Sequence, residues 1–552
     1  MKKLITLICT FQFVMVWAQE PVKDTFRIYY PIDIEIDSAQ RAYRYSPTDV
    51  RTRKVSITPQ DYSSKDFLVK LEDENPKLKM FPIKHPKQTD LIGNYVKAGY
   101  GPIYSTPYLE THFNSKRNED YQYGLYYNHL SSAKGPVGKK NSSNSLNDIN
   151  AYGKKFGEKV IWSGEVDYNR RRFNYYGYQD SLNLPESDHN VRDSIKQVYN
   201  HFQAKLGFKQ YDTSNVFNYD VNMSFGNISD IDNAKEVQIG AEMDLAYGLS
   251  NAEIIVPTDI YITKYENGVI DQSRNFINIK PQYKKVREGK FAYQIGFNFN
   301  YENDSYGDGN NVHLYPVLKG TYVINKKTGM SLLAGVEGGM ERKSFHGTID
   351  ENPYLNNNLV LVNENTKIYL YGGVEGKMAK YFIYNLTVGY KNFNNLSLFI
   401  NDSSDASRFN LEYDNGNSGL LRTKAELYFS KIKKVQFGLV AQYDKYKMDN
   451  YAKAFHRPTF TGKFISKYKV KDNFHLTADL YYLSGLFAWD YSSNQEVKLN
   501  NITDLNISAE YFLNDKFSVF GDFNNLLNKS YERYWNYNVK KMNFILGLTY
   551  AF

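Results

Sequence analysis

Cysteine is almost missing from this sequence. Cys9 is the only one in 552 residues, and it lies in an apolar run from Leu4 to Val16. A lysine pair precedes this run and the small residue Ala18 follows it, so residues 1–18 have the pattern of a signal peptide. We therefore expect an exported mature chain without cysteine, which excludes a disulfide framework and cysteine-based chemistry.

Long hydrophobic runs are missing as well. After residue 18 the chain has no stretch of about 18 apolar residues, which excludes a membrane-spanning helix. Tryptophan (4) and proline (16) are scarce, whereas there are 50 tyrosines and 34 phenylalanines. Mean hydropathy is nevertheless only -0.58. Abundant aromatic residues at low mean hydropathy predict a β-sheet wall with one apolar face and one face toward water. Such a wall has rings of aromatic residues at the two membrane interfaces.

A concentrated charge of one sign is also lacking. The formal charge of +8 is dispersed, and residues 170–172, three arginines, form the densest basic cluster. Nucleic-acid binding needs a basic stripe with stacking aromatics, so we expect no nucleic-acid partner. The triplet ends a strand-like run, which predicts a solvated strand end or a contact with anionic lipid head groups.

Signatures of catalysis are absent too. The nine histidines show neither H-x-x-x-H nor H-E-x-x-H spacing, and no G-x-S-x-G or dinucleotide fingerprint occurs. Asp402 and Asp405 could bind calcium, but solvated loop positions are the simpler interpretation. The sequence therefore nominates no catalytic, cofactor-binding or metal-binding residue and no cofactor, and it predicts a protein that is not an enzyme.

Alternation with a period of two is what the sequence does contain. In the last nine residues every second side chain is large and apolar, namely Phe544, Leu546, Leu548, Tyr550 and Phe552. Such a strand has two different faces, and a chain ending on an aromatic resembles the C-terminal signal of bacterial outer-membrane barrels. We expect these five residues to face outer-membrane lipid and to be read by the insertion machinery. The alternative is a half-buried final strand of a soluble sandwich.

The same alternation repeats from residue 91 to 552, with no helix and no domain linker. Tight turns are predicted near Asn118, Gly157, Asp212, Ser250, Gly289, Lys327, Lys380, Lys433, Asp472 and Asn514. Longer loops are predicted near 101–106, 132–147, 173–197, 226–235, 265–273, 302–311, 342–366, 400–407, 447–457, 485–502 and 525–540. Ten turns and eleven loops join about 22 strands into an all-β, transmembrane antiparallel barrel. Lipid tolerates no unpaired sheet edge, so the last strand should pair with a first strand near 94–100.

Residues 19–90 differ from the barrel. One strand is predicted over 26–36, and residues 76–87 are an extended basic connector with three prolines. We expect a short periplasmic or lumenal segment that docks other envelope proteins. The alternative is a tail packed on the barrel rim.

The end of the chain resembles the end of TonB-dependent receptors. Two groups of residues match that family: Asn525, Leu526, Leu527, Asn528, Lys529 and Tyr531 in the motif that ends its penultimate strand, and Gly547, Leu548, Tyr550 and Phe552 in its closing strand. Residues 95–130 are similar to receptor-like barrels of Bacteroidota. The resemblance implies a Gram-negative outer-membrane location, but residues 19–90 are too short for that family's plug domain and carry no convincing energising box.

The missing plug limits what the resemblance implies. A lumen of about 22 strands leaks when it is empty, so residues 19–90, infolded loops or a partner should fill it. We expect a structural or accessory subunit of an outer-membrane complex that binds other outer-membrane or periplasmic proteins through residues 19–90 and the long loops. The alternative is a TonB-dependent-type transporter or a porin for small solutes.

Overall fold

The computed structural model describes residues 93–552, except 117, 179–192, 286–288, 305–310, 380 and 433. The predicted signal peptide, the segment 19–90 and the expected absence of a plug lie outside these residues. None of the helices in the described part of the chain is long and apolar enough to cross a bilayer.

In the described part of the chain, 27 strands make up almost all of the regular structure. The first half contains β1 (Tyr95–Gly101), β2 (Thr106–Asn114), β3 (Tyr121–Ser132), β4 (Asn144–Phe156), β5 (Val160–Asn174), β6 (Lys196–Gln210), β7 (Phe217–Ser229), β8 (Lys235–Gly248), β9 (Ala252–Glu266), β10 (Asp271–Ile279), β11 (Gln282–Lys285), β12 (Phe291–Glu302) and β13 (Val312–Asn325). The second half contains β14 (Met330–Glu341), β15 (Glu364–Met378), β16 (Phe382–Asn394), β17 (Leu396–Asn401), β18 (Phe409–Asp414), β19 (Ser418–Ile432), β20 (Val435–Lys447), β21 (Phe460–Lys471), β22 (Phe474–Ser484), β23 (Phe487–Asp490), β24 (Gln495–Lys498), β25 (Ile502–Phe512), β26 (Phe517–Asn524) and β27 (Asn543–Ala551).

These strands form one closed antiparallel barrel and two hairpins in loops. β10 and β11 both pair with β9 and β12, so they are two halves of one wall strand. The hairpins β17–β18 and β23–β24 form separate sheets. The wall therefore has 22 strands, as the sequence predicted, and β27 closes it by pairing with β1 from Tyr95–Ala551 to Tyr100–Leu546. The first strand begins one residue later than predicted.

The closing strand, β27, shows how alternating side chains produce a wall with two different faces. Leu546, Leu548 and Tyr550 point outward and are 50%, 59% and 40% exposed, whereas Ile545, which directly precedes them, is 8% exposed. Phe552 also faces outward, and its ring lies 5.8 Å from that of Phe113 on β2. The bulky residues thus face lipid, and the small ones leave room inside the lumen.

The two ends of the barrel differ. At one end ten short turns join the strands, and asparagines cap several of them: the Asn118 Oδ1 atom accepts from the Asp120 amide at 2.7 Å, and the Asn514 Oδ1 atom accepts from the Lys516 amide at 2.9 Å. At the other end are eleven connections, several of which are much longer, such as those from β14 to β15 and from β26 to β27. Short periplasmic turns and long outer loops are the rule for such barrels, so the looped end is the outer mouth.

One loop corrects the expectation of no helix. A short helix, α1 (Phe345–Glu351), lies in the connection from β14 to β15. The Ser344 side chain caps it by accepting from the Gly347 amide at 3.1 Å. Seven residues make too few turns to show helical periodicity in the sequence.

Candidate functional site

The outer mouth is covered by a cap of loops. Its centre is a cluster of buried apolar residues from several connections and the strand ends beneath them. The cluster comprises Phe173, Tyr175, Tyr199, Ile228, Ala234, Tyr265, Phe345, Ile349, Leu355, Leu359, Leu361, Phe399, Phe409, Leu411, Tyr534 and Tyr537. An apolar core among outer loops buries surface that water would otherwise cover, which favours loops folded together.

Three tyrosines from three different loops meet in this cap, and we call them the tyrosine hub: Tyr176, Tyr354 and Tyr537. The ring centroids of Tyr354 and Tyr537 lie 3.6 Å apart, and that of Tyr176 lies 4.8 Å from Tyr537. With β10 and β11 counted as one strand, their loops join wall strands 5 and 6, 13 and 14, and 21 and 22. These positions lie near thirds of the circumference, so the loops meet over the lumen.

Hydrogen bonds from buried tyrosines hold the loops together. The Tyr175 hydroxyl donates to the Leu355 carbonyl at 2.8 Å, and the Tyr176 hydroxyl donates to the Asn538 carbonyl at 3.2 Å. The Tyr537 hydroxyl donates to the Ser407 carbonyl. Burial raises the pKa of Tyr175 to about 12, and it raises the pKa of Tyr354 and of Tyr537 as well. All three hydroxyls therefore remain protonated donors at neutral pH.

Ion pairs tie the cap to the wall. Arg171 on β5 lies 3.0 Å from Asp350 of α1, with only 13% of the arginine side chain exposed. Arg408 pairs with Asp232 at 3.3 Å and stacks on the Tyr175 ring at 4.4 Å. The basic triplet lies near the end of β5, as predicted, but the expected contact with solvent or lipid is wrong for Arg171, because this arginine contacts the cap.

A buried arginine supports the base of the loop that carries α1. Arg274 pairs with Asp304 at 3.2 Å, and both side chains are under 10% exposed. The same guanidinium donates to the Lys343 carbonyl at 2.6 Å and to the Asn363 side chain at 2.5 Å. A buried charge needs such a full set of partners, so this loop has a fixed start and end.

Beneath the cap the lumen wall is polar. At the seam the buried carboxylate of Glu110 accepts from the hydroxyls of Tyr95, at 2.6 Å, and of Tyr108. Lys97 on β1 lies 3.8 Å from Asp522 on β26. Between β6 and β9 the wall also contains a polar cavity of about 170 Å³. These groups are suited to polar solutes or to a polar chain segment in the lumen.

The structure shows where the histidines and the acidic loop residues of the sequence analysis lie. His201 and His346 come together, with ring centroids 3.9 Å apart. The two histidines are far apart in sequence, so the sequence gave no signal of this contact. His85 and His189 lie outside the described residues. Asp402 accepts from the amides of Ser404 and Asp405 at 2.7 and 3.1 Å, so it organises its own loop. In the described part of the chain no three His, Cys, Asp or Glu residues lie close enough to hold a metal ion.

Comparisons with known proteins identify the fold of this chain. No protein-family model matches the sequence, and no curated protein sequence matches it. Among solved structures, the chain is similar to the FrpB iron transporter of Neisseria meningitidis (TM-score 0.64, 10% identity, 83% of this chain and 81% of that chain). It is also similar to the siderophore receptor PirA of Acinetobacter baumannii (0.62, 10%, 83% and 80%) and to a variant of the ferric enterobactin receptor of Pseudomonas aeruginosa (0.60, 11%, 83% and 80%).

The strand count and the closure agree with these neighbours. The shared feature is a closed barrel of 22 antiparallel strands. At 10–11% identity the likeness concerns architecture alone. The protein is an outer-membrane β-barrel with the fold of the TonB-dependent receptor barrel.

Proposed function

We propose that this protein is a non-enzymatic subunit of an outer-membrane complex, with a receptor-like barrel as its membrane scaffold. The observation that carries this is the cap. An open pore needs a clear outer mouth, whereas here three loops meet at the tyrosine hub and pack into an apolar core. A closed and rigid outer surface is well suited to hold a partner, and residues 19–90 with the long loops are the proposed contact regions.

Co-purification from native membranes tests this proposal. A tagged chain is solubilised in mild detergent and separated on a native gel, with a version lacking residues 19–90 run in parallel. We expect a defined species that contains a second polypeptide. Its loss on deletion would assign the contact to residues 19–90, and its persistence would assign the contact to the loops. A chain that always migrates alone would refute the proposal.

A second candidate is a gated transporter of polar solutes. The polar cavity beneath the cap favours it, and the neighbours named as siderophore receptors and an iron transporter are consistent with it. Planar-bilayer conductance separates the candidates when the cap is loosened by Tyr537→Ala. Tyr491→Ala is the matched control, since Tyr491 lies on the β23–β24 hairpin and is 46% exposed.

The two candidates differ in the result for Tyr537→Ala. A subunit whose lumen is blocked along its length shows no current in the wild type or in either variant. A transporter gated by the cap shows current in Tyr537→Ala alone. Current in the unmodified protein would contradict the closed cap itself.

A further inference from the structure

A groove of about 1050 Å³ crosses the lipid face of the wall from β12 to β19, and we call it the wall groove. Three small residues on neighbouring strands form its floor, because Gly320 pairs with Ala334 and Ala334 pairs with Gly372. Its sides are larger outward residues that are 40% to 51% exposed, namely Phe291, Leu318, Tyr322, Leu332, Leu370 and Leu421. Ligand pockets usually have about 300–1,000 Å³, so the wall groove has the size of a binding site.

The packing of the wall does not require the glycines of the floor. An added Cβ at Gly372 would meet only the Leu333 carbonyl oxygen, at 3.6 Å, among the described residues. At Gly320 it would meet only the Phe291 ring, at 3.7 Å. Glycine inside a strand weakens the strand, and a close approach of another group is its usual reason. Here the space above the glycines is open toward the membrane.

The wall groove spans one leaflet of the bilayer. Its lower end is at Phe291, the first residue of β12, directly after a periplasmic turn. Its floor is deeper: Gly320 lies about 20 Å along β13 from Lys326, at about 3.3 Å per residue. With a strand tilt of about 40° this is about 15 Å in depth, close to the middle of an apolar band about 25 Å tall. The wall groove thus has the reach of one acyl chain of the periplasmic leaflet.

The four turns below the wall groove have an excess of positive charge. They contain seven lysines and arginines and one glutamate, in residues 286–290, 326–329, 379–381 and 433–434. The other six short turns contain four basic and six acidic residues, in residues 115–120, 157–159, 211–216, 249–251, 472–473 and 513–516. Charge that is dispersed along the sequence is therefore concentrated in one sector of the periplasmic rim, and that sector carries the groove.

The basic sector and the wall groove meet at the turn from β11 to β12. Lys285 and Tyr293 are paired on the outward face, and the lysine ammonium lies 5.8 Å from the centre of the ring, which lines the groove. Lys290 ends the same turn. The Val323 amide donates to its carbonyl at 2.7 Å, so this turn adjoins the end of β13, just before Lys326. A negative group at this end of the groove meets cations from two turns.

An apolar groove with a basic lower end fits a ligand that joins an apolar chain to a negative head group. We propose that the wall groove binds an anionic glycerophospholipid of the periplasmic leaflet. Its phosphate lies at Lys285 and Lys290, and one acyl chain lies over Gly320, Ala334 and Gly372. This site goes beyond the proposed function and does not depend on it.

Native mass spectrometry of the full chain, released from detergent micelles, tests the class of lipid. Phosphatidylglycerol is the probe. Phosphatidylethanolamine with the same acyl chains is the comparison, since it has the same phosphate and chains but no net charge. We expect one phosphatidylglycerol per barrel, bound at least about tenfold more tightly than phosphatidylethanolamine. Equal retention of the two lipids, as for lipid that merely surrounds the barrel, would overturn the proposal.

A filling variant locates the acyl chain. Gly372→Leu fits the backbone and occupies the floor, so it should remain folded, as seen by heat-modifiable migration on gels, and should bind the probe at least about tenfold more weakly. Gly153→Leu is the matched control, since Gly153 pairs with the outward residue Tyr123 on another sector and an added Cβ there meets nothing within 4 Å. A folded Gly372→Leu protein that retains the probe like the wild type would refute the site.

A double charge variant locates the head group. Lys285→Gln with Lys290→Gln should lower the preference for phosphatidylglycerol roughly tenfold, because two cations leave the end of the groove. Lys155→Gln with Lys159→Gln is the matched control, since Lys155 pairs with Trp162 on the outward face and Lys159 ends the following turn. It should keep the preference. An unchanged preference in the first variant, or an equal loss in the control, would contradict the proposal.

Discussion

Acid should loosen the cap through one buried histidine. His456, in the loop from β20 to β21, is 2% exposed, and neither ring nitrogen has a hydrogen-bond partner among the residues that the structure describes. Its ring packs against Phe409 and Tyr534, and the Arg533 guanidinium donates to its carbonyl at 2.6 Å. Burial, with Arg533 adding to it, lowers the pKa of His456 from 6.5 to about 3. The closed cap thus holds this ring neutral.

The size of the effect follows from proton linkage. The pKa of His456 is lower in the closed cap than in an opened, solvated loop. The closed cap therefore has its full stability above pH 6.5 and loses stability as the pH falls toward 3. At about 1.4 kcal/mol per unit, His456 alone should cost the closed cap about 2 kcal/mol between pH 8 and pH 5. Burial lowers the pKa of His346 too, although Asp350 opposes the shift, so His346 adds in the same direction.

Hydrogen–deuterium exchange across pH measures this loss. Peptides from the loops 448–459 and 525–542 should exchange faster at pH 5 than at pH 8, after correction for the chemical rate. His456→Asn is the informative variant, because asparagine cannot titrate and tolerates the positive φ of 58° at this position. The variant should lose most of the pH dependence. The same acid sensitivity in both proteins would refute the assignment to His456.

Three further changes test the hub, the seam and the lipid face. Tyr537→Ala removes a fully packed ring from the cap and should cost about 3 kcal/mol of cap stability by the same exchange measurement, with Tyr491→Ala as the neutral control. Gly547→Leu places a side chain where the backbone of β1 and the lumen side of β26 leave no room, so it should abolish the heat-modifiable folded form. Gly153→Leu, which meets nothing within 4 Å, should fold normally, and equal behaviour of the two would disprove the packing at the seam. Leu548→Arg should destabilise the barrel in vesicles by about 2–4 kcal/mol in urea titrations, and a neutral result would mean that this face does not contact lipid.

The wall was predictable because one physical rule governs every strand in it. Lipid lies on one side and a polar lumen on the other, so each strand carries the alternation that Leu546, Leu548 and Tyr550 show. Backbone groups in lipid need partners, which requires the last strand to meet the first. Turn residues such as Asn118 supply the remaining signal, and the strand count follows from them.

The cap was not predictable for the opposite reason. Tyr176, Tyr354 and Tyr537 come from three loops far apart in the chain, and none of these loops has a repeating pattern. Arg171 lies in a visible basic triplet, but its partner Asp350 is remote in sequence, so the triplet looked like a surface feature. The only signal was the large number of tyrosines, and alternation assigned those to the membrane interfaces.

The cap bears on the question of what fills the wide lumen. A barrel of 22 strands without a filling would leak, and the sequence left three fillings open: residues 19–90, infolded loops, or a partner. The tyrosine hub shows that infolded loops meet over the lumen at the outer mouth. The loops meet from thirds of the circumference, and the buried hydroxyls of Tyr175, Tyr176 and Tyr537 donate to backbone carbonyls of other loops. Moving one loop therefore breaks buried hydrogen bonds of the others. A partner or solute that acts from outside must work against the cap as a unit, whereas one that acts through the lumen meets the polar wall beneath the cap first.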